Sequence, residues 1–186
     1  KYFKDIHTWL LSYGSWRSTF TGYDAEYKVK GTHPMGGALS LLWHAQAGPV
    51  FAATMNQYKL IEAPNMQSNT RKYLTGGTPR IELIQNGVAY SNLDDLNTSI
   101  TYHEREEACT FTVHTHLVDI NQQAPLQGEV AMTMNYTYSE QGVSIHLEHC
   151  NEPIRLMLPV IASPEENIEF SSHEVYIRKN KGVVCI

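Results

Sequence analysis

Charge is scarce in this chain: only 18% of its 186 residues are Asp, Glu, Lys or Arg. The 19 acidic and 14 basic residues leave a formal net charge of −5, so no general attraction to nucleic acid is expected. Cysteine is scarce too. Cys109, Cys150 and Cys185 are odd in number, far apart, and form no CxxC unit. Neither a zinc ribbon nor a dense disulfide framework is indicated. One long-range bridge stays open in an oxidising compartment, and buried free thiols are the favoured reading. No run approaches the ~20 apolar residues that span a bilayer. Dinucleotide and P-loop fingerprints, GxSxG and HExxH are missing, and with them the standard nucleotide-binding and hydrolase signatures. No internal repeat, low-complexity tract or heptad organises the chain. No cofactor is implied.

What is present is an ordinary hydrophobic share of 42% and enough length to bury one core without disulfide help. Thr, Ser, Asn and Gln, with 11 Tyr, take the place of the missing charge. That mixture is common in secreted all-β proteins and in surfaces that handle sugars. The chain opens on Lys1-Tyr2-Phe3-Lys4-Asp5, without Met, and reads as a piece of a longer protein.

In residues 1–14, Ile6, Trp9, Leu10 and Tyr13 recur at helical spacing before Gly14. This predicts a short amphipathic helix, read with its flanks as a linker from a preceding domain. Residues 15–186 read as the β-domain proper. Trp16, Ser18, Phe20 and Gly22 alternate with Arg17, Thr19, Thr21 and Tyr23, a strand pattern. Ala38–Ala45 and Val50–Met55 follow as strands around a turn at Ala47-Gly48-Pro49. Residues 62–69 read as a surface loop. Arg80–Gln85 and Val88–Asn92 flank Asn86-Gly87, a strong hairpin signal. Further strands are expected at 99–104, 108–119, 128–139, 143–150, 154–159, 168–170, 174–179 and 183–186. Strands at this rhythm, without helical interludes, predict an antiparallel two-sheet β-sandwich. The 128–150 hairpin shows two faces. Val130, Met132, Met134, Tyr136 and Tyr138 should be core, with Val143, Ile145 and Leu147 as partners. Thr133, Asn135 and Thr137, with Ser144, His146 and Glu148, should form a polar face.

His33 lies in a loop beside Gly36-Gly37, where a rigid sheet can present a general acid/base or charge-stabilising imidazole. His114 and His116 share one face of a strand and are weak candidates for metal ligands, with no third ligand evident nearby. Arg17 can clamp a carboxylate or sulfate. Tyr23 and Tyr27 offer stacking faces and phenols for a sugar.

The run from His33 through Pro34, Met35, Gly36, Gly37 and Ala38 to Leu42, then Gly48-Pro49-Val50, resembles the opening of the β-sandwich in heparinase II/III-like polysaccharide lyases. Val143-Ser144-Ile145 and Leu156-Met157-Leu158-Pro159 are similar to late strands of that sandwich. The resemblance implies a C-terminal sandwich following an α/α toroid, which would carry the main acid/base groups for β-elimination at a uronic acid. It implies His33 as the sandwich's histidine in the cleft. Where the family has HxHxD, this chain has Met35 and Gly37 in place of the second histidine and the aspartate. Because thioether is a poor zinc ligand, the resemblance implies that the family's metal site is lost. The partners implied are an acidic polysaccharide or other glycan and the toroid domain, in a secreted, periplasmic or cell-surface setting. A non-catalytic carbohydrate-binding or structural interaction module is the alternative.

Overall fold

The computed structural model describes residues 1–22, 35–54, 77–148, 151–179 and 182–186. All regular elements among them are β-strands except one short 3-10 helix, Asn92–Asp94. Among the described residues, no helix is long and apolar enough to cross a membrane.

The first sheet has five antiparallel strands in sequence order: β1 (Tyr2–Phe3), β2 (Thr8–Tyr13), β3 (Trp16–Thr21), β4 (Ala38–His44) and β5 (Gly48–Ala52). The helix expected before Gly14 is therefore not formed. Trp9, Leu11 and Tyr13 point toward the core, while Leu10 is 42% exposed and Ile6 44%. The helical spacing of Ile6 and Leu10 was coincidental. The period-two set won because β3 supplies a hydrogen-bonding and packing partner at every position, from Thr8 opposite Thr21 to Tyr13 opposite Trp16. Gly14 does not end a helix. At φ +51 it makes, with Ser15, the two-residue turn of the β2–β3 hairpin, a left-handed conformation that glycine adopts without penalty.

The second sheet holds β8 (Ser99–Glu104), β9 (Cys109–His116), β10 (Ala131–Tyr138) and β11 (Val143–Leu147) in the order β11-β10-β9-β8. β6 (Arg80–Gln85) and β7 (Val88–Ser91) pair with β12 (Arg155–Met157). β13 (Asn167–Phe170), β14 (Val175–Lys179) and β15 (Gly182–Cys185) form a last small sheet. Asn86 and Gly87, at φ +50 and +78, turn the β6–β7 hairpin. This is the two-residue turn that the Asn-Gly pair predicts.

The five- and four-stranded sheets meet face to face through aromatic side chains. The Phe20 ring stacks on Phe111 with centroids 4.5 Å apart and meets Tyr136 edge-on at 4.9 Å. Trp9 packs against Phe111 at 5.6 Å. The Tyr138 hydroxyl donates to Ser18 Oγ at 2.8 Å, so this buried phenol is satisfied across the interface. The Trp16 indole N–H reaches the Ser139 carbonyl at 3.2 Å. The expected two faces of the 128–150 hairpin are present. Tyr136 is opposite Ile145 and Tyr138 opposite Val143 on the buried side, while Asn135 is opposite His146 and Thr137 opposite Ser144 on the outer one.

Candidate functional site

β3 ends at Thr21 and β4 begins at Ala38. The Gly36 amide donates to the Gly22 carbonyl at 2.9 Å, so departure and return are pinned to each other. Gly36 and Gly37 have φ of +65 and +73. A Cβ on Gly36 would sit 1.5 Å from the Asn92 carbonyl oxygen, and one on Gly37 would sit 2.1 Å from Val113 Cγ1. The glycine pair thus lets the backbone press against the 3-10 turn and β9. Asn92 completes the joint: its side-chain amide donates to the Gly36 carbonyl at 3.1 Å, and its Oδ1 accepts the Ile81 amide at 2.8 Å.

A second departure is pinned at the same end of the sheet, where β5 finishes beside the start of β4. The Gly77 amide donates to Thr54 Oγ1 at 2.6 Å. The Thr54 amide donates to Thr78 Oγ1 at 3.1 Å, and the Thr78 hydroxyl donates back to the Thr54 carbonyl at 3.0 Å.

The 3-10 turn that touches Gly36 leads into Asp95, whose carboxylate is the hub of a buried polar cluster. Its Oδ1 accepts the Asn97 amide at 2.8 Å. Its Oδ2 accepts the His116 amide at 2.7 Å, the Thr115 hydroxyl at 2.9 Å and, at 3.3 Å, faces His116 Nδ1. The Asp95 side chain is 2% exposed, and the His116 ring is 32% exposed. The other ring nitrogen, Nε2, lies 3.0 Å from Oε1 of Glu129, a carboxylate on the segment leading into β10. A buried carboxylate behind an imidazole fixes ring orientation. His116 is therefore held with one nitrogen inward and one at the surface, at the end of the molecule where both pinned departures occur.

The sequence candidates are placed as follows. Tyr23, Tyr27 and His33 lie outside the described residues. Arg17 is exposed, and its Nη1 donates to the carbonyls of Gly14 and Trp16 at 2.8 and 2.7 Å. It therefore braces the β2–β3 turn, at the opposite end of β3 from Gly22, about 16 Å along the strand. His114 and His116 share the outer face of β9 as expected, but their rings have separate partners: His114 Nδ1 meets Thr133 Oγ1 at 3.1 Å. Among the described residues, no group of three His, Cys, Asp or Glu side chains is placed to hold a metal ion. Sequence reasoning missed Asp95 altogether. The only local signal was a Ser-Asn-Leu-Asp-Asp-Leu-Asn run, which reads as an ordinary capped turn.

Four of the described phenols are held in the protonated form. Burial pushes the Tyr136 and Tyr138 hydroxyls far up. Tyr102 is pushed up to about 12 by burial and by the neighbouring Glu104, and Tyr176 to about 12, chiefly by its hydrogen bond to Glu174. Burial also raises the Cys109 thiol, which leaves that free cysteine protonated and inert. The four-stranded sheet offers the polar outer face anticipated from sequence, cross-linked by Thr110 to Thr137 at 3.0 Å and Thr112 to Asn135 at 2.7 Å.

Comparison with known proteins assigns this architecture. The chain is 33% identical, over 194 residues, to the broad-specificity ulvan lyase of Formosa agariphila, a match that covers 100% of this chain and 30% of that protein. The chain thus spans under a third of the length of this relative. No solved structure matches it. The family model described as the ulvan lyase C-terminal domain matches residues 1–186. The chain belongs to the ulvan lyase C-terminal domain family, and so is the C-terminal domain of a polysaccharide lyase homologue.

Proposed function

We propose that this domain is a two-sheet β-sandwich forming one wall of an acidic-polysaccharide cleft, in a whole protein that cleaves ulvan by β-elimination. The observation that carries the reading is the family match along the whole chain, shared with a relative named as an ulvan lyase. In this reading the cleft lies at the end where Gly22 meets Gly36 and Thr54 meets Gly77. Tyr23, Tyr27 and His33 serve as substrate contacts in this reading. The remaining length of the protein supplies the opposing wall, arranged as in heparinase II/III-like lyases with an α/α toroid carrying the main acid/base groups. Arg17, braced on the far turn, serves the same polysaccharide farther along its path. The setting is secreted, periplasmic or cell-surface, where such a polymer is met.

Ultraviolet absorbance of the unsaturated product, measured with the whole protein on ulvan, tests this directly. A rise in absorbance that drops at least tenfold in His33→Ala is the expected result. Wild-type rates in that variant remove His33 from the mechanism, and no absorbance change on any uronate polymer rejects the lyase reading. A non-catalytic carbohydrate-binding module is the second reading, favoured by the hydroxyl-rich outer face around Thr112 and Asn135. It predicts glycan binding by the 186 residues alone, as scored on a glycan array.

A further inference from the structure

The end of the sheets opposite Gly22 carries the tight turns Gly14–Ser15, Ala45–Ala47 and Ser139–Gly142, together with the β8–β9 turn at 105–108. Beside them and the C-terminal strand β15 opens a cavity of about 870 Å³, a volume in the usual range of small-ligand sites. Phe51 and Ile145 give it an apolar lining, and Trp16 contributes an aromatic one.

The aromatic wall is fixed before any ligand arrives. The indole N–H of Trp16 is committed to the Ser139 carbonyl, and the His44 ring packs against the indole with centroids 4.5 Å apart. His44 Nδ1 accepts from the backbone amides of Gln46 and Ala47 at 3.3 and 3.4 Å. Its ring proton therefore sits on Nε2, which makes that nitrogen a hydrogen-bond donor. The Ser139–Gly142 turn is closed in both directions, by the Ser139 amide on the Gly142 carbonyl at 2.9 Å and the Gly142 amide on Ser139 Oγ at 3.3 Å. It presents Glu140 and Gln141, both exposed, to the cavity.

We propose that this cavity is a carbohydrate site that takes an uncharged, hydroxyl-rich sugar unit of the polysaccharide, stacked on Trp16. The proposal rests on the reading that the protein handles a polysaccharide. The lining selects the class. It offers one carboxylate and the amides of Gln46 and Gln141 to hydroxyl groups, and it contains no Lys or Arg among the described residues to balance an acid group. An aromatic face with a ring of such groups suits the apolar C–H face and hydroxyl edge of a pyranose. The site lies about 20 Å along β3 from Gly22, six residues away.

The test is isothermal titration of the whole protein with limit-digest ulvan oligosaccharides, together with iodoacetamide alkylation of Cys185 followed by mass spectrometry. Cys185 lines the cavity and is an exposed free thiol, whereas Cys109 is buried. Oligosaccharide should protect Cys185. The double variant Glu140→Ala/Gln141→Ala, confined to an exposed turn, should bind at least tenfold more weakly, with its elimination rate on short substrates unchanged. Wild-type affinity in the double variant, or an unprotected Cys185 at saturating oligosaccharide, overturns the site. Protection without any elimination product keeps the site and rejects the lyase reading. Elimination without protection does the reverse.

Discussion

At the scale of single residues, the tightest constraint is backbone against backbone. Gly36 carries both a positive φ and a carbonyl oxygen where its Cβ would be, so Gly36→Ala must displace the 3-10 turn or its own strand. Gly14 has a similar φ of +51 but open space around it. Gly14→Ala should cost about 1 kcal/mol, from the left-handed conformation alone, whereas Gly36→Ala should cost roughly 3 kcal/mol or more. Urea denaturation of the two variants checks the ordering, and equal midpoints would show that the joint yields easily. Asp94 supplies a second residue-scale prediction. Burial, and secondarily the nearby Asp119, raise its carboxyl from the ordinary 3.8 to about 6. Between pH 4 and 6 the unfolded chain releases this proton while the folded chain keeps it, so the group makes stability fall as pH rises through that window. Above pH 6 the penalty is constant. Asp94→Asn should therefore gain roughly 2 kcal/mol at pH 7, allowing for partial exposure of the carboxyl, and flatten the loss between pH 4 and 6. Thermal melts at half-unit pH steps would show it.

At the scale of elements, strand alternation decides which side chains matter. Phe20 is fully buried and touches Phe111, Tyr136 and Tyr138, so Phe20→Ala should cost about 3–5 kcal/mol. Ile168 on β13 is 41% exposed on a strand whose residues are all exposed. Ile168→Ala should stay within about 1 kcal/mol. Comparable chemical-denaturation midpoints for the two would contradict the core described above. The same alternation made most of the fold readable from sequence. Arg80–Gln85 and Ser99–Glu104 coincide with the expected strands, and Asn86-Gly87 turns where its residue types demand. It failed at β2, where one short stretch fits both periods and only the presence of β3 decides between them. The site was less legible for a related reason. Asp95 and His116 are 21 residues apart in sequence and meet only because the chain enters β8 and returns along β9. No spacing rule joins a carboxylate in a turn to a histidine at the end of the next strand but one. The glycine pair was conspicuous, and its close approach is to Asn92 and Val113.

At the scale of the whole molecule, the five-stranded sheet has two unlike ends. One carries tight turns, the aromatic cavity and the braced Arg17. The other carries two departures, each closed by hydrogen bonds between described residues: Gly22 with Gly36, and Thr54 with Gly77 and Thr78. With its ends already held together, a connecting segment pays little for extra length, since closure entropy grows only with the logarithm of loop size. Inserting six Gly/Ser residues between Thr54 and Gly77 should cost below about 1 kcal/mol by urea denaturation. The same insertion within β4 should abolish cooperative unfolding. This makes the clasps more than local fastenings. They hold the geometry of the sheet at that end independently of what lies between the clasped residues.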